Sequence, residues 1–230
     1  MCNYHVGRAL VKTSQVTRVR VWSRWLRLSH WAITLAVTGL LFSGWLSSAA
    51  PALETDAQDL HFLCSALLIP ALLLRFYLLF FGCGTDHITD CEPNAHRLRQ
   101  AAEVLRFYLT LGRAPLPKWF AHNPLWGPLY LLLFLFLTLS VASGLMLQKE
   151  IAFFANISLH DLHHISYLFV ATFVPLHILA VFSHDAYSSG SDISGMISGH
   201  RTFPVEQSNQ TSAVDTQTIT VDELLKTLKK

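Results

Sequence analysis

The sequence predicts an all-α integral membrane protein, a bundle of four transmembrane helices. Its 230 residues are 52% hydrophobic and only 14% charged, and the mean hydropathy is +0.38. An ordinary soluble domain is less apolar than this. Four apolar runs each approach the roughly 20 residues that cross a bilayer. No internal repeat or soluble second domain is evident, and the net charge of +2 gives no reason to expect a nucleic-acid partner.

The first span is predicted from about Trp25 to Leu46, with His30 near its cytoplasmic start. Residues 1–24 are basic, but the apolar segment after them is long and lacks a convincing processing site, so no cleaved signal peptide is expected. Because basic residues favour the cytoplasmic side, residues 1–24 should form a cytoplasmic N-terminal segment. Gly39 and Gly44 are expected to leave room for a bulky group beside the helix.

The second span is predicted from Leu60 to Phe81, and His61 stands at its outer end. The linker before it, residues 47–59, has three acidic residues and no Lys or Arg, which predicts that it lies on the translocated side. Arg75 follows His61 by fourteen residues, which places it on nearly the same helical stripe about 21 Å deeper. A cation inside the bilayer costs several kcal/mol, so Arg75 should either contact an anion or snorkel to the interface.

A long polar connection, residues 82–123, precedes the third span and is predicted to be cytoplasmic from its five basic residues. Within it, residues 94–111 carry apolar side chains at helical spacing, which predicts an amphipathic helix on the inner membrane surface. The third span, Pro124–Leu147, has no histidine or charge and is expected to be a lipid-facing wall. Three histidines of the connection are interpreted as solvated surface residues without chemistry: His87, His96 and His122.

The fourth span, Leu162–Phe182, carries three histidines. His163 and His177 are fourteen residues apart, so they share one helical stripe and lie about 21 Å apart along the axis. His164 points about 140° away from His177, which makes it the poorer partner.

Four spans return the chain to the cytoplasm. The transmembrane domain is therefore predicted at residues 25–183 and a cytoplasmic C-terminal tail at residues 184–230, where segment 222–230 should fray or form a short helix. The cysteines show neither metal-ligand spacing nor a disulfide framework. We interpret all four as reduced thiols: Cys2, Cys64, Cys83 and Cys91.

Histidines of three spans fall into two level pairs. His61 and His163 stand at the outer ends of their spans, and His30 and His177 stand toward the inner ends. The alternative is a set of helix-end and core histidines satisfied by neighbours, but two level pairs favour axial ligation of one haem iron by each pair. Because two imidazoles fill both axial positions, such a site suits electron transfer. An inner haem would also offer Arg75 a propionate.

Four motifs carry a resemblance to a known family over residues 21–203. The motifs are RLSHW at 27–31, HNPL at 122–125, HDLHHISYLFVATFVPLH at 160–177 and SGMISGHRTF at 194–203. With them the chain resembles the b-type cytochrome subunit of membrane-bound nickel-iron uptake hydrogenases, in the bacterial cytochrome b561-like family. The first and third motifs are shared by the wider family, whereas the second and fourth are more particular to hydrogenase partners.

This resemblance implies two b haems, one bound by His61 with His163 on the outer side and one by His30 with His177 on the inner side. It implies a bacterial inner-membrane protein with cytoplasmic termini, which takes electrons from the small and large subunits of a nickel-iron hydrogenase outside and passes them to a membrane quinone. Such a subunit has no hydrogen-splitting site of its own.

The chain departs from the family pattern in three places. The loop before the fourth span is shorter, a tail follows Phe203, and Ser183 and His184 stand where an Arg and an acidic residue are usual. Alternative functions are the cytochrome b subunit of a formate dehydrogenase or thiosulfate reductase, which neighbouring genes would reveal. A haem-free anchor and a metal permease are further alternatives. A reduced-minus-oxidised spectrum would distinguish either of them from a cytochrome.

Overall fold

Four long helices dominate the computed structural model, which describes residues 16–92, 94–187 and 192–204. Each is long and apolar enough to cross a membrane. The predicted fold class, a four-helix transmembrane bundle, is therefore confirmed. The long helices are α1 (Arg24–Ala49), α2 (Glu54–Phe81), α4 (Trp126–Leu147) and α5 (Leu159–Tyr187).

The helices extend beyond most of the predicted spans because polar residues at the membrane boundary continue the helical hydrogen bonding. At the start of α1, the Ser23 side chain accepts the backbone N–H of Leu26 at 3.0 Å, which caps the helix. Helix α5 likewise continues five residues past Phe182, and α2 begins six residues before Leu60. Hydropathy alone identifies the apolar centre of each helix and not its polar ends.

The bundle consists of two helix hairpins. Helix α1 packs mainly against α2, and α4 packs mainly against α5. One buried cluster joins all four helices at mid-depth, and many large apolar side chains on the outer faces remain exposed, as a lipid-facing surface requires. The buried cluster comprises Ala36, Val37, Leu68, Leu72, Leu137 and Val170.

Gly39 does not leave room for a bulky group, contrary to the sequence interpretation. A Cβ placed on Gly39 would collide with the Sγ of Cys64 on α2, so this glycine permits close contact between α1 and α2. Cys64, Cys83 and Cys91 are free thiols, as predicted, and Cys2 lies outside the described residues.

Helix α3 (Ala95–Leu109) confirms the predicted amphipathic helix, and the Asn94 side chain caps it by accepting the Arg97 N–H at 2.9 Å. Its face toward the protein buries Val104 and Phe107, whereas three leucines of the apolar pattern are exposed. The exposed leucines are Leu98, Leu105 and Leu109.

Short elements complete the fold. Strands β2 (Phe153–Phe154) and β3 (Ile157–Ser158) form an antiparallel hairpin before α5. Strands β1 (Val16–Arg20) and β4 (His200–Pro204) form a second two-stranded sheet, and α6 (Asp192–Ser198) precedes β4.

Residues 192–204, which the sequence assigns to the tail, thus carry regular structure that packs on the start of α1. The indole of Trp31 donates to the Met196 carbonyl at 3.2 Å, and the guanidinium of Arg27 donates to the Ile197 carbonyl. Gly199 has φ +84, and its carbonyl accepts the N–H groups of the segment that leads into α1. The terminal segment 222–230 lies outside the described residues.

Candidate haem-binding sites

His61 and His163 face each other across the bundle. His61 lies in the first third of α2 and His163 in the first turns of α5, and their ring centres are 6.3 Å apart at an interplanar angle of 58°. We call these two residues the outer pair, after the orientation predicted from the sequence.

Each ring of the outer pair is held through Nδ1 by the neighbouring helix of its own hairpin. His61 Nδ1 is 3.0 Å from Ser43 Oγ, and His163 Nδ1 is 3.1 Å from both Ser143 Oγ and the Ser140 carbonyl oxygen. Metal-ligating histidines usually use the second ring nitrogen in this way, because that contact fixes the ring and its tautomer. The Nε2 atoms are therefore left for another partner.

A glycine lies beside each ring of the outer pair. A Cβ on Gly44 would lie 3.9 Å from His61 Cε1, and a Cβ on Gly144 would lie 3.2 Å from His163 Cε1. Each hairpin therefore repeats one arrangement, in which a Ser-Gly pair on its first helix holds a histidine on its second. No internal repeat was predicted from the sequence, so this match between the two hairpins was missed.

Helix α4 also differs from the prediction of a simple lipid-facing wall. It supplies Ser143 and Gly144 to the outer pair, and its other end supplies aromatic rings that pack on His177. The ring centres of Trp126 and Tyr130 lie 5.5 and 5.8 Å from that of His177. Small and aromatic residues make these contacts with the histidines. They could not be predicted from a span that contains no histidine and no charged residue.

His30 and His177 form the inner pair, with ring centres 6.5 Å apart at an interplanar angle of 64°. The Nδ1 atom of His177 is buried and has no hydrogen-bond partner among the described residues. Buried polar atoms are rarely left unpaired. The ring thus has ligating or hydrogen-bonding capacity that no described side chain uses.

Both pairs have the separation expected of two ligands on one metal. An imidazole nitrogen binds a first-row transition metal at about 2.0–2.1 Å and the ring centre lies about 1.1 Å behind it, so rings on opposite sides have centres about 6.2–6.4 Å apart. The observed values are 6.3 and 6.5 Å. His164 is exposed, lies against Tyr167 and lines neither of the two cavities described below. Each pair therefore brings two imidazoles to a separation that one metal ion between them would require.

The two pairs differ in the space around them. The cavity at the outer pair has a volume of about 60 Å³, below the roughly 300–1,000 Å³ typical of small-molecule sites. For a haem to bind at the outer pair, the apolar side chains that line this cavity would have to move. The inner cavity, which His30 and His177 line, has a volume of about 530 Å³. It extends past the histidines to polar residues of the 119–123 segment and of α6.

Arg75 lines this inner cavity and is buried. Its Nη1 donates to the main-chain carbonyl of Asp86 at 3.1 Å, and its guanidinium lies 5.4 Å from the ring centre of Phe134. Asp86 is itself buried, and its Oδ1 has no hydrogen-bond partner among the described residues. The connection after α2 therefore folds back to contact this arginine, which hydropathy could not predict.

His122 is not the solvated surface residue that the sequence suggested. Its ring centre lies 4.9 Å from Trp22 and 6.1 Å from Tyr130, and it lines the inner cavity. The neighbouring Asn123 is buried, and its Oδ1 accepts the backbone N–H of Leu125 at 2.9 Å. The HNPL motif therefore turns the chain into α4 at the wall of the cavity. His96 is exposed, and His87 bonds locally to Thr89.

Sequence reasoning also missed a buried histidine, His184. It is 3% exposed, and its Nε2 lies 2.7 Å from the hydroxyl of Tyr108 on α3. Its Nδ1 lies 3.5 Å from Asp192 Oδ2, and Asp192 Oδ1 pairs with Arg201 Nη2 at 2.7 Å. Burial raises the pKa of the Tyr108 phenol to about 12, so this hydroxyl stays protonated at neutral pH. The sequence marked His184 only as a departure from the family pattern and gave no signal for its burial.

Four apolar helices and two facing histidine pairs define a membrane cytochrome of the b type. The family model described as "Prokaryotic cytochrome b561" matches residues 21–199. The chain belongs to this family, which confirms the resemblance inferred from the motifs, and its cofactor is haem b.

Several curated relatives are similar to the chain over most of its length, and all are described as a probable Ni/Fe-hydrogenase B-type cytochrome subunit. The relative from Rhodobacter capsulatus is 29% identical, over 81% of this chain and 82% of its own length. Those from Cupriavidus necator and Azotobacter vinelandii are 24% and 27% identical, over 85% and 86% of this chain and 91% and 94% of their own lengths. No solved structure gives a significant match.

Proposed function

We propose that this protein is a diheme cytochrome b that carries electrons from a periplasmic nickel-iron hydrogenase, made of a small and a large subunit, to the membrane quinone pool. The description shared by the relatives supports the hydrogenase partner. Two facing histidine pairs support two haems. The chain itself holds no site for splitting hydrogen in this proposal.

The outer pair, His61 and His163, would ligate one haem b, and the inner pair, His30 and His177, would ligate the other. Ring-centre separations of 6.3 and 6.5 Å are the observation that carries this assignment. When bound, each haem would supply one-electron redox chemistry. The residues of the chain hold the imidazoles of the outer pair through Nδ1 and surround both sites with apolar side chains.

Arg75 would contact a propionate of the inner haem, since it lines the same cavity as His30 and His177. A guanidinium engages a carboxylate through two parallel hydrogen bonds. Among the hydrogen bonds of the described residues, Arg75 donates to the Asp86 carbonyl through Nη1. The other N–H groups of the guanidinium can therefore donate to a second partner.

The inner cavity is also the proposed site of quinone reduction, because it extends beyond the histidine pair and its wall is largely apolar. Excess Lys and Arg in the 82–123 connection supports a cytoplasmic position for that end. We therefore assign the protein to the bacterial inner membrane, with a cytoplasmic segment 1–24, a membrane domain 25–183 and a cytoplasmic tail 184–230.

One preparation tests these assignments. Protein purified with its co-purifying subunits should contain two low-spin b haems per chain, both reduced by hydrogen and reoxidised by added quinone. Co-purification with a molybdenum enzyme would contradict the hydrogenase partner, and one haem per chain would contradict the double ligation. A preparation without haem would overturn the whole proposal.

A further inference from the structure

A buried polar cluster beside the inner cavity has no role in haem ligation. It combines His184 on α5, Tyr108 on α3, Asp192 on α6 and Arg201 on β4, and we call these four residues the His184 cluster. His184 and Asp192 both line the inner cavity. Placing a histidine and a carboxylate in a buried site costs desolvation free energy, so their pairing at a cavity wall calls for a functional explanation.

The two ring nitrogens of His184 face different partners. The indole Nε1 of Trp126 donates to the Tyr108 hydroxyl at 2.9 Å, and that hydroxyl lies 2.7 Å from His184 Nε2. Because its oxygen can accept a second hydrogen bond, the hydroxyl can donate to a neutral imidazole or accept from an imidazolium. Asn123 Nδ2 also lies 3.4 Å from this Nε2. The imidazole Nδ1 then faces the carboxylate of Asp192.

Asp192 connects the cluster to water. Its side chain is 20% exposed, whereas that of His184 is 3% exposed. Arg201 pairs with Asp192 Oδ1 and also donates to the Phe120 carbonyl at 2.8 Å, which fixes the carboxylate against the wall of the cavity. Through Asp192, the buried imidazole of His184 at the cavity wall is connected to the exposed surface.

We propose that Asp192 and His184 form the proton-delivery path to a quinone that is reduced in the inner cavity. This inference rests on the proposed function. Reduction of one quinone to a quinol takes two electrons from the inner haem and two protons. His184 would donate each proton from its imidazolium and regain it through Asp192 from cytoplasmic water.

The charges around His184 suit this exchange. Asp192 on α6 can pair with an imidazolium at His184, and Arg201 on β4 pairs with the same carboxylate. Tyr108 on α3 stays protonated, and the 119–123 segment and α4 supply uncharged contacts from Trp119, Asn123 and Trp126. On its own helix, the nearest titratable groups in sequence are Asp185, Tyr187 and His177. Histidine exchanges a proton near neutral pH, which a quinone reductase requires.

The test uses the intact complex with its hydrogenase subunits, hydrogen as donor and a short-chain quinone analogue as acceptor, from pH 5.5 to 8.5. His184→Gln should leave the rate of haem reduction by hydrogen unchanged. It should lower quinone reduction at least about tenfold at neutral pH, since a positioned acid contributes about 10²–10⁴ in rate. Added imidazole should restore part of that rate.

Two further variants sharpen the test. Asp192→Asn should show a similar loss that grows as pH rises, because the path then depends on protons from bulk water. Asp185→Asn is the matched control: Asp185 Oδ1 and Oδ2 accept the N–H groups of Asp192 and Ile193 at 2.7 and 3.2 Å, and the Asn side chain keeps one of these two bonds while removing the charge. This variant should keep the wild-type pH profile.

The outcomes separate this inference from the proposed function. A wild-type complex whose haems are reduced by hydrogen but which never reduces quinone would contradict the proposed function itself. If the wild type reduces quinone and His184→Gln keeps its rate and pH profile, proton delivery by this path is wrong. An equal loss at every pH that imidazole does not restore would also overturn it, because such a loss indicates packing alone.

Discussion

Replacing Gly144 by Ala should weaken haem binding at the outer pair. The new Cβ would lie 3.2 Å from Cε1 and 3.6 Å from Nδ1 of His163. Unstrained carbon contacts are about 3.5–4.0 Å, so the ring must shift by a few tenths of an ångström. It cannot shift freely, because Nδ1 contacts Ser143 Oγ and the Ser140 carbonyl oxygen, both at 3.1 Å.

The size of the effect follows from this overlap. Overpacking a well-packed site costs about 1–3 kcal/mol, which corresponds to roughly a 5- to 150-fold loss of haem affinity. Gly44→Ala is the matched control, since its Cβ would lie 3.9 Å from His61 Cε1, an ordinary contact. Both substitutions gain about 1 kcal/mol of helix propensity, so this contribution cancels in the comparison.

The assay is haem content per purified chain, together with the rate at which haem transfers to an excess of apomyoglobin. Gly44→Ala should behave as the wild type, whereas Gly144→Ala should release its outer haem faster. Equal retention in the two variants would refute the reasoning, since it would mean that the His163 ring is free to move away from the added methyl group.

Three further predictions follow from the same sites. His177→Ala should remove the inner haem and His163→Ala the outer one, while His164→Ala should retain both; spectral haem counts decide this, and two full equivalents in either of the first two would contradict the pairing. Arg75→Leu should keep both haems but lower the inner midpoint potential, because loss of a cation favours oxidised iron; an unchanged potential in a redox titration would assign this arginine to loop packing alone. Because burial raises the pKa of Tyr108 to about 12, the unfolded chain loses its phenolic proton first, so stability present below pH 10 should fall between pH 10 and 12. Thermal unfolding should show a shallower fall in Tyr108→Phe, and equal slopes would contradict the assignment.

The sequence alone could predict the spans and the levels of the four proposed ligands. Apolar runs of about 20 residues identify transmembrane helices, and a separation of fourteen residues keeps two side chains on one stripe. The structure brings together His61 with His163 and His30 with His177, the partners that this periodicity selected. Their ligation of iron is a prediction, which the histidine substitutions described above would test.

Contacts made by polar connections could not be predicted, because they depend on tertiary packing and have no periodic pattern. Asp86 returns to Arg75, and His122 packs on Trp22, although both residues lie in a segment that hydropathy marks only as polar. His184 is buried because α3 and α6 cover it, and Tyr108 of α3 lies 76 residues from it in the chain. Helix α4 has no charged residue, so its contacts with His163 and His177 could not be predicted either.

The two-hairpin construction has a consequence for biogenesis. His61 and His30 belong to the α1–α2 hairpin, and His163 and His177 belong to the α4–α5 hairpin, while direct contacts between the hairpins are sparse compared with those inside each. On the proposed ligation, each haem joins one hairpin to the other. Newly inserted chains without haem should therefore have halves that separate readily in the bilayer, which would let membrane proteases distinguish unfinished protein from mature cytochrome. Haem supply would then set how much of the subunit accumulates.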